Sequence, residues 1–282
     1  MLNQEINIRD PFVLVENGIY YMYGTRAKDF GYHTGGFDVY TSRDLEHWSD
    51  PVSCFDSAKY GMNAGVNWAP EVHRYKGGYY MFATFTQESG FIGTYILRAD
   101  RPEGPFVPHS NGAVTPCEWA SLDGTLYVGK DGHPYVVFCH EHTQIIDGTI
   151  CYARLSDDLT ERISDPVTIF AASSCPYVDM HRKTEHYVTD GPFLYRTRTG
   201  QLLMIWSSFI RNRYAELLVR FPDGDLGTKA EHLPPILDDD GGHGMIFEGN
   251  GRLYFTFHSP NRSGFEHPVF REISDDGNTL SL

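Results

Sequence analysis

Four acidic residues and one histidine each stand just before a short apolar strand of this chain. They are Asp10 in DPFVLV, Glu71 in EVHRY, Asp123 in DGTLYV, Asp190 in DGPFLY and His243 in HGMIF. A further glutamate, Glu141, sits in CHEH directly after an apolar strand. Carboxyl groups gathered in one concavity do acid–base chemistry: one held protonated gives a proton, and one held ionised takes a proton from water. That chemistry requires a fold that brings distant strand starts to one place.

The spacing supplies such a fold. The starts recur at intervals of about fifty to seventy residues, a period that marks repeat architectures. After each comes a turn (NG, KGG, KDG, RTG, GNG), then a second strand rich in aromatic or branched residues: IYYMYGT, YYMFATF, HPYVVFC, QLLMIWSS and RLYFTFH. A third strand follows, as in FDVYTS, TYILRA and TICYARL. Five such units predict an all-β, five-bladed β-propeller with antiparallel blades around a central channel, forming one domain over residues 1–282. No helical period is sustained.

In a propeller the first strands are innermost, so their starts converge on one mouth of the channel. The second strands run back and end at the same mouth. They bring Gly24, Thr25, Thr86, Gln87, His140, Glu141, Ser207, Ser208, His258 and Ser259 to it. The irregular stretches 50–67, 110–121 and 171–189 precede blades two, three and four and arrive on that side, where long loops build binding sites. Aromatic residues near strand ends, Trp68, Trp119, Tyr177 and Trp206, either stack on a ligand or fill the space between blades. The expected ligand-binding set is Trp68, Glu71, Gln87, His140, Trp206, Ser207, His243, His258 and Arg262. Glu103, in a second DGPF-like stretch (EGPF), falls toward a blade's outer edge, and Asp238, Asp239 and Asp240 lack calcium-loop spacing and read as a solvated turn.

The net charge of −14 argues against a nucleic-acid or anionic membrane partner. Five cysteines without C-x-x-C spacing read as packed, reduced thiols. The opening MLNQEINIRDPF has neither a basic nor an apolar leader segment, so the expectation is a cytoplasmic protein, or a secreted one if a leader has been trimmed.

Hydrolysis of a glycosidic bond fits a ring of carboxyls. Inverting enzymes need two of them roughly 6.5–9.5 Å apart, leaving room for water. Keeping one protonated near neutral pH means raising its pKa by about 3 units, or about 4 kcal/mol. The motifs RDPF (9–12), WAPE (68–71), LDG (122–124), DGPF (190–193) and GHG (242–244) together resemble glycoside hydrolase family 43 along essentially the whole chain. That resemblance implies an inverting glycosidase with Asp10 as general base and Asp123 as the group that tunes and orients the acid. It matches His243 to a channel histidine associated with calcium through water, although no cofactor is required for the chemistry. It implies α-L-arabinofuranosides, β-D-xylosides or β-D-galactofuranosides of oligo- or polysaccharides as substrates; the loops that enter on the mouth side from three blades predict a pocket in which terminal sugars are cut one at a time. The departure is at blade four, where the family's Glu-Gly-Pro is Asp190-Gly-Pro. The shorter side chain leaves two candidates for the acid, Asp190 and Glu141, and the reading leans to Glu141, with Asp190 holding a sugar hydroxyl. A sugar-binding propeller without catalysis is the alternative. A phosphorolytic enzyme, with His140, His142 and Arg262 cradling phosphate, is a third.

Overall fold

The structure, a computed structural model, describes residues 1–227 and 229–282, and for Lys28 and Asp29 the backbone only. Five antiparallel sheets follow one another along the chain. Blade one holds β1 (Ile8–Glu16), β2 (Ile19–Arg26), β3 (Gly36–Ser42) and β4 (Val52–Asp56). Blade two holds β5 (Asn67–Tyr75), β6 (Gly78–Thr86), β7 (Ile92–Ala99) and the short β8 (Val107–Pro108). Blade three holds β9 (Ser121–Val128), β10 (Pro134–His140), β11 (Thr149–Arg154) and β12 (Val167–Ala171), with the one-turn helix α1 (His142–Ile145) after β10. Blade four holds β13 (Asp190–Arg196), β14 (Leu202–Ile210), β15 (Arg213–Phe221) and β16 (Glu231–Leu237). Blade five holds β17 (Gly242–Gly249), β18 (Arg252–Ser259) and β19 (His267–Glu272). The expected five-bladed all-β propeller is what the chain forms.

The ring closes where the ends of the chain meet. The Ile8 N–H donates to the Glu266 carbonyl at 3.1 Å, and the Asn7 side chain donates to the same oxygen at 2.8 Å. Large side chains fill the wedges between blades. Phe37 and Phe55 of blade one each meet Phe85 of blade two at 5.7 Å between ring centres. Trp206 of blade four is fully buried against Phe170 of blade three at 5.1 Å. Burying such rings removes large apolar areas from water and supplies most of the inter-blade attraction.

One irregularity repeats in every blade. The pairing of first and second strands slips between Arg9 and Phe12, Trp68 and Glu71, Asp190 and Phe193, and Gly242 and Met245, and within β9 opposite Val137–Cys139. At each slip one residue adopts a left-handed backbone: Asp10 (φ 53°), Ala69 (44°), Asp123 (56°), Gly191 (49°) and His243 (52°). Such bulges re-aim side chains at the rim of a sheet. They also correct the expected ring. Glu71 lies two residues past its blade's bulge and Asp190 one residue before it, so neither is equivalent to Asp10, Asp123 or His243. The bulge residue of blade four is Gly191, where a Cβ would come 2.7 Å from the His243 ring.

Candidate active site

The bulge turns five backbone N–H groups out of their own sheets, and each needs an acceptor. Four find one on the second strand of the preceding blade. Ala69 donates to Thr25 Oγ1 (2.7 Å), Asp123 to Thr84 Oγ1 (3.0 Å), His243 to Ser207 Oγ (2.6 Å), and Asp10 to His258 Nδ1 across the closure (3.2 Å). At the corresponding place in blade three stands Cys139, a weak acceptor. There the Gly191 N–H donates to the Asp123 carboxylate, Oδ2, at 3.0 Å.

At the mouth a cavity of about 550 Å³ is lined by Asp10, Asp123, Glu141, Asp190 and His243, together with Arg9, Trp68, Tyr214 and others. The bulges and the end of β10 together bring all four acids expected to do chemistry to this cavity. Positions just before the bulges, Arg9, Trp68, Leu122 and Asp190, form much of the wall.

The carboxyls are driven in opposite directions. Burial opposes ionisation of Asp10, but His243, with Nδ1 at 3.1 Å from Oδ1, and Arg9, together with the Thr25 hydroxyl at 2.6 Å, hold it below its ordinary value. Burial, reinforced by the charges of Asp190 and Asp10, pushes Asp123 up to about 8 despite His243. Asp190, partly exposed to the cavity, is also raised, first by the low-dielectric surroundings and then by Glu141, against His243, His142 and the Tyr214 hydroxyl that donates to Oδ2 at 2.9 Å. Burial works against charge on His243, yet Asp10, Asp123 and Asp190 lift it to about 9, so an imidazolium stands among the acids near neutral pH. His258 goes the other way, to about 3, because it is buried beside Arg9. A neutral His258 is what accepting the Asp10 N–H at Nδ1 requires.

Several expected ligand contacts lie elsewhere. Trp206 is packed between blades, and Ser207 is consumed by the His243 N–H and by Glu216 Oε2 at 2.9 Å. His258 is fully buried behind Asp10. Glu71 is buried with His73 Nε2 at 3.0 Å. Gln87 is tied to the Ile92 carbonyl, and His140 stacks on Trp119 at 4.1 Å and meets Gln144. Arg262 lies exposed over Phe265. Of the nine, Trp68 and His243 line the cavity. Of the basic trio considered for phosphate, His142 alone does so. Sequence reasoning missed Arg9, Phe30, Tyr32, His142 as a wall residue, Thr184, Tyr214 and the buried Glu216, which burial pushes up to about 7 against the Ser207 hydroxyl.

The residues around His243 do not suit a directly held cation. Among the described residues no three His, Cys, Asp or Glu side chains gather as a ligand set. The His243 Nδ1 faces Asp10, and histidine is a poor ligand for calcium. A water-held ion at His243 rests on the resemblance alone.

Comparison with known proteins agrees with the motif reading. Residues 5–280 match the profile of Glycosyl hydrolases family 43. The endo-arabinase from Bacteroides thetaiotaomicron VPI-5482 is 37% identical, with 99% of each chain covered and a TM-score of 0.90. A putative beta-xylosidase of Xylanibacter ruminicola is 30% identical over 135 residues, which are 44% of this chain and 24% of that protein. Xylosidase/arabinosidase 43A of Humicola insolens is 28% identical over 145 residues, 46% of this chain and 42% of that protein. The matched part thus spans less than half the length of either curated relative. With a profile match over nearly its whole length and a propeller carrying the matching acids at one mouth, the chain belongs to glycosyl hydrolases family 43.

Proposed function

We propose that this chain is an inverting glycoside hydrolase acting on arabinofuranosyl linkages, with Asp10 as general base, Asp190 as general acid and Asp123 as the group that tunes them. The observation that carries this reading is one cavity in which Asp10 is driven toward the ionised form and Asp190 toward the protonated form, the opposition that inversion uses. Asp10 takes a proton from water as the water's oxygen bonds to the anomeric carbon. The glycosidic C–O bond breaks, and the leaving oxygen takes the proton of Asp190. His243 and Arg9 supply the positive charge that keeps Asp10 a base.

The sequence alone leans to Glu141 as donor. What favours Asp190 is the engagement of both Glu141 oxygens. Oε2 accepts from the Thr143 N–H at 2.7 Å and from its hydroxyl, and Oε1 lies 3.1 Å from His142 Nε2. Asp190 has one oxygen bonded to Tyr214, and among the described residues nothing bonds the other. Glu141 then serves as a neighbouring charge that keeps the proton on Asp190. Asp190→Asn and Glu141→Gln decide between them. Loss of the true donor is rescued by a dinitrophenyl leaving group, which needs little protonation, and rescue of Glu141→Gln alone would return the role to Glu141.

The choice of sugar is supported by the similarity to the endo-arabinase, which extends over 99% of this chain at 37% identity. Removal of single terminal sugars, expected from the loops, has a competitor with its own support. A second hollow of about 460 Å³ shares Arg9, Phe30, His142, Thr184, Asp190 and Tyr214 with the first and continues to Lys183, Asn212 and Asn261. Room on both sides of Asp190 favours cleavage within a chain. Chromatography of the earliest products from linear arabinan separates the two: oligosaccharides for internal cleavage, arabinose alone for terminal cleavage. Sugar binding without turnover would return the chain to the non-catalytic reading, and a requirement for phosphate to the phosphorolytic one.

A further inference from the structure

Beside Glu141 runs a line of side chains that the acid–base steps leave unused. His142 places Nε2 3.1 Å from Glu141 Oε1. On the far side of the same ring, His142 Nδ1 lies 3.0 Å from His186 Nδ1, with the rings crossed at 69°. His186 belongs to the stretch 172–189 that leads into blade four. That stretch is pinned beside α1 by the Gly148 N–H on the Tyr187 carbonyl (2.8 Å) and the Tyr187 N–H on the Ile146 carbonyl (2.9 Å).

Two ring nitrogens at that distance share one proton: two N–H groups would collide, and two bare nitrogens would repel. With Glu141 Oε1 as acceptor and both rings neutral, one order supplies each of the two close contacts with a single proton. His186 Nδ1–H donates to His142 Nδ1, and His142 Nε2–H donates to Glu141 Oε1. A histidine's second nitrogen commonly sets what the first can do.

We propose that His186 is a positioning residue for this site: by donating to His142 it selects the tautomer that donates to Glu141, and so holds the Glu141 carboxylate in place beside Asp190. The inference rests on Asp190 as proton donor. Asp190 is faced by Glu141 and His142 from the α1 segment, His243 from β17, Tyr214 from β15, Asp123 from β9 and Arg9 from β1. His142 is also near His181, which has Lys183 beside it. Of these, Glu141 is the acid whose charge raises Asp190, while Asp123, itself raised to about 8, carries little charge near neutral pH. Loosening Glu141 therefore lowers the pKa of Asp190 and moves the basic limb of the pH profile downward.

The test uses His186→Leu, which removes the donor, His186→Asn, whose amide N–H can stand at the Nδ1 position, and His186→Gln, whose amide falls nearer Nε2. Nitrogen-15 NMR of histidine-labelled enzyme reads the His142 tautomer, and kcat/KM on linear arabinan is followed against pH. The expected result is a bare Nδ1 and protonated Nε2 on His142 in the unaltered enzyme. His186→Leu should cost about tenfold in kcat/KM, mostly in kcat, with the basic limb about half a unit lower. Asn restores both and Gln does not. A His142 protonated at Nδ1 and bare at Nε2 in the unaltered enzyme overturns the proposal, as does a Leu variant with an unmoved limb. Because the tautomer is read without turnover, its failure is distinct from failure of the donor assignment, which shows instead as an Asp190→Asn variant that keeps its kcat.

Discussion

Four junctions between blades close one way, and the junction between blades three and four closes another. At four, a side chain from the second strand of one blade accepts the bulge N–H of the next: Thr25, Thr84, Ser207 and His258. At the fifth, Cys139 occupies that place, and the N–H of Gly191 goes to Asp123. Where the repeat is kept, the accepting side chain joins blades. Where it is broken, a carboxylate lining the cavity does the joining, and it is thereby aimed. Asp190 immediately precedes Gly191 in the chain, so the two raised acids, Asp123 and Asp190, flank one hydrogen bond.

The largest effects test which side of that comparison carries chemistry. Asp10→Asn and Asp190→Asn should each lower kcat on arabinan by about a thousandfold, within the range for loss of a general acid or base. Steady-state kinetics on folded variants checks this, and a loss below tenfold for Asp10→Asn would remove it as base. Cys139→Thr restores the missing clasp. It should draw the Gly191 N–H from Asp123 and cost about tenfold in kcat, as small misplacements near reacting atoms do. The melting temperature should not fall, and unchanged kcat would mean that the Asp123 bond is incidental.

At an intact junction the expectation reverses. Thr84→Val keeps shape but leaves the buried Asp123 N–H without an acceptor, so it should cost about 1–3 kcal/mol in denaturant unfolding. Asp123→Asn changes the pH dependence of stability. The folded pKa of Asp123, about 8, lies above its ordinary 3.8. Its contribution is therefore fully present below about pH 4 and is lost as pH rises through 8. Melting temperatures across that window should fall less steeply in the Asn variant, and an unchanged slope would contradict the raised value.

Much of this was legible in the residues. The repeat of strand starts and glycine turns predicts the propeller, and the motifs themselves contain the correct register. RDP, WAP, LDG, DGP and GHG align on the Pro or Gly in third place, which puts Asp10, Ala69, Asp123, Gly191 and His243 together. Aligning on the acids instead misplaced Glu71 and Asp190, because a bulge shifts a strand by a residue without changing its composition. Trp206 was illegible for another reason. Strands between two packed blades bury both faces, so alternation does not say which aromatic meets ligand. Tyr214 and Glu216 lie on a third strand, where nothing in the local pattern marks a residue that reaches back to the axis.

The central claim is that Asp10 and Asp190 act from opposite sides of one bond, with water delivered by Asp10. Proton NMR of the sugar released from an α-L-arabinofuranoside in the first moments of turnover tests it most directly. The β-anomer should appear first and then mutarotate. Initial release of the α-anomer would mean retention through a covalent intermediate, and would contradict the roles given to both residues.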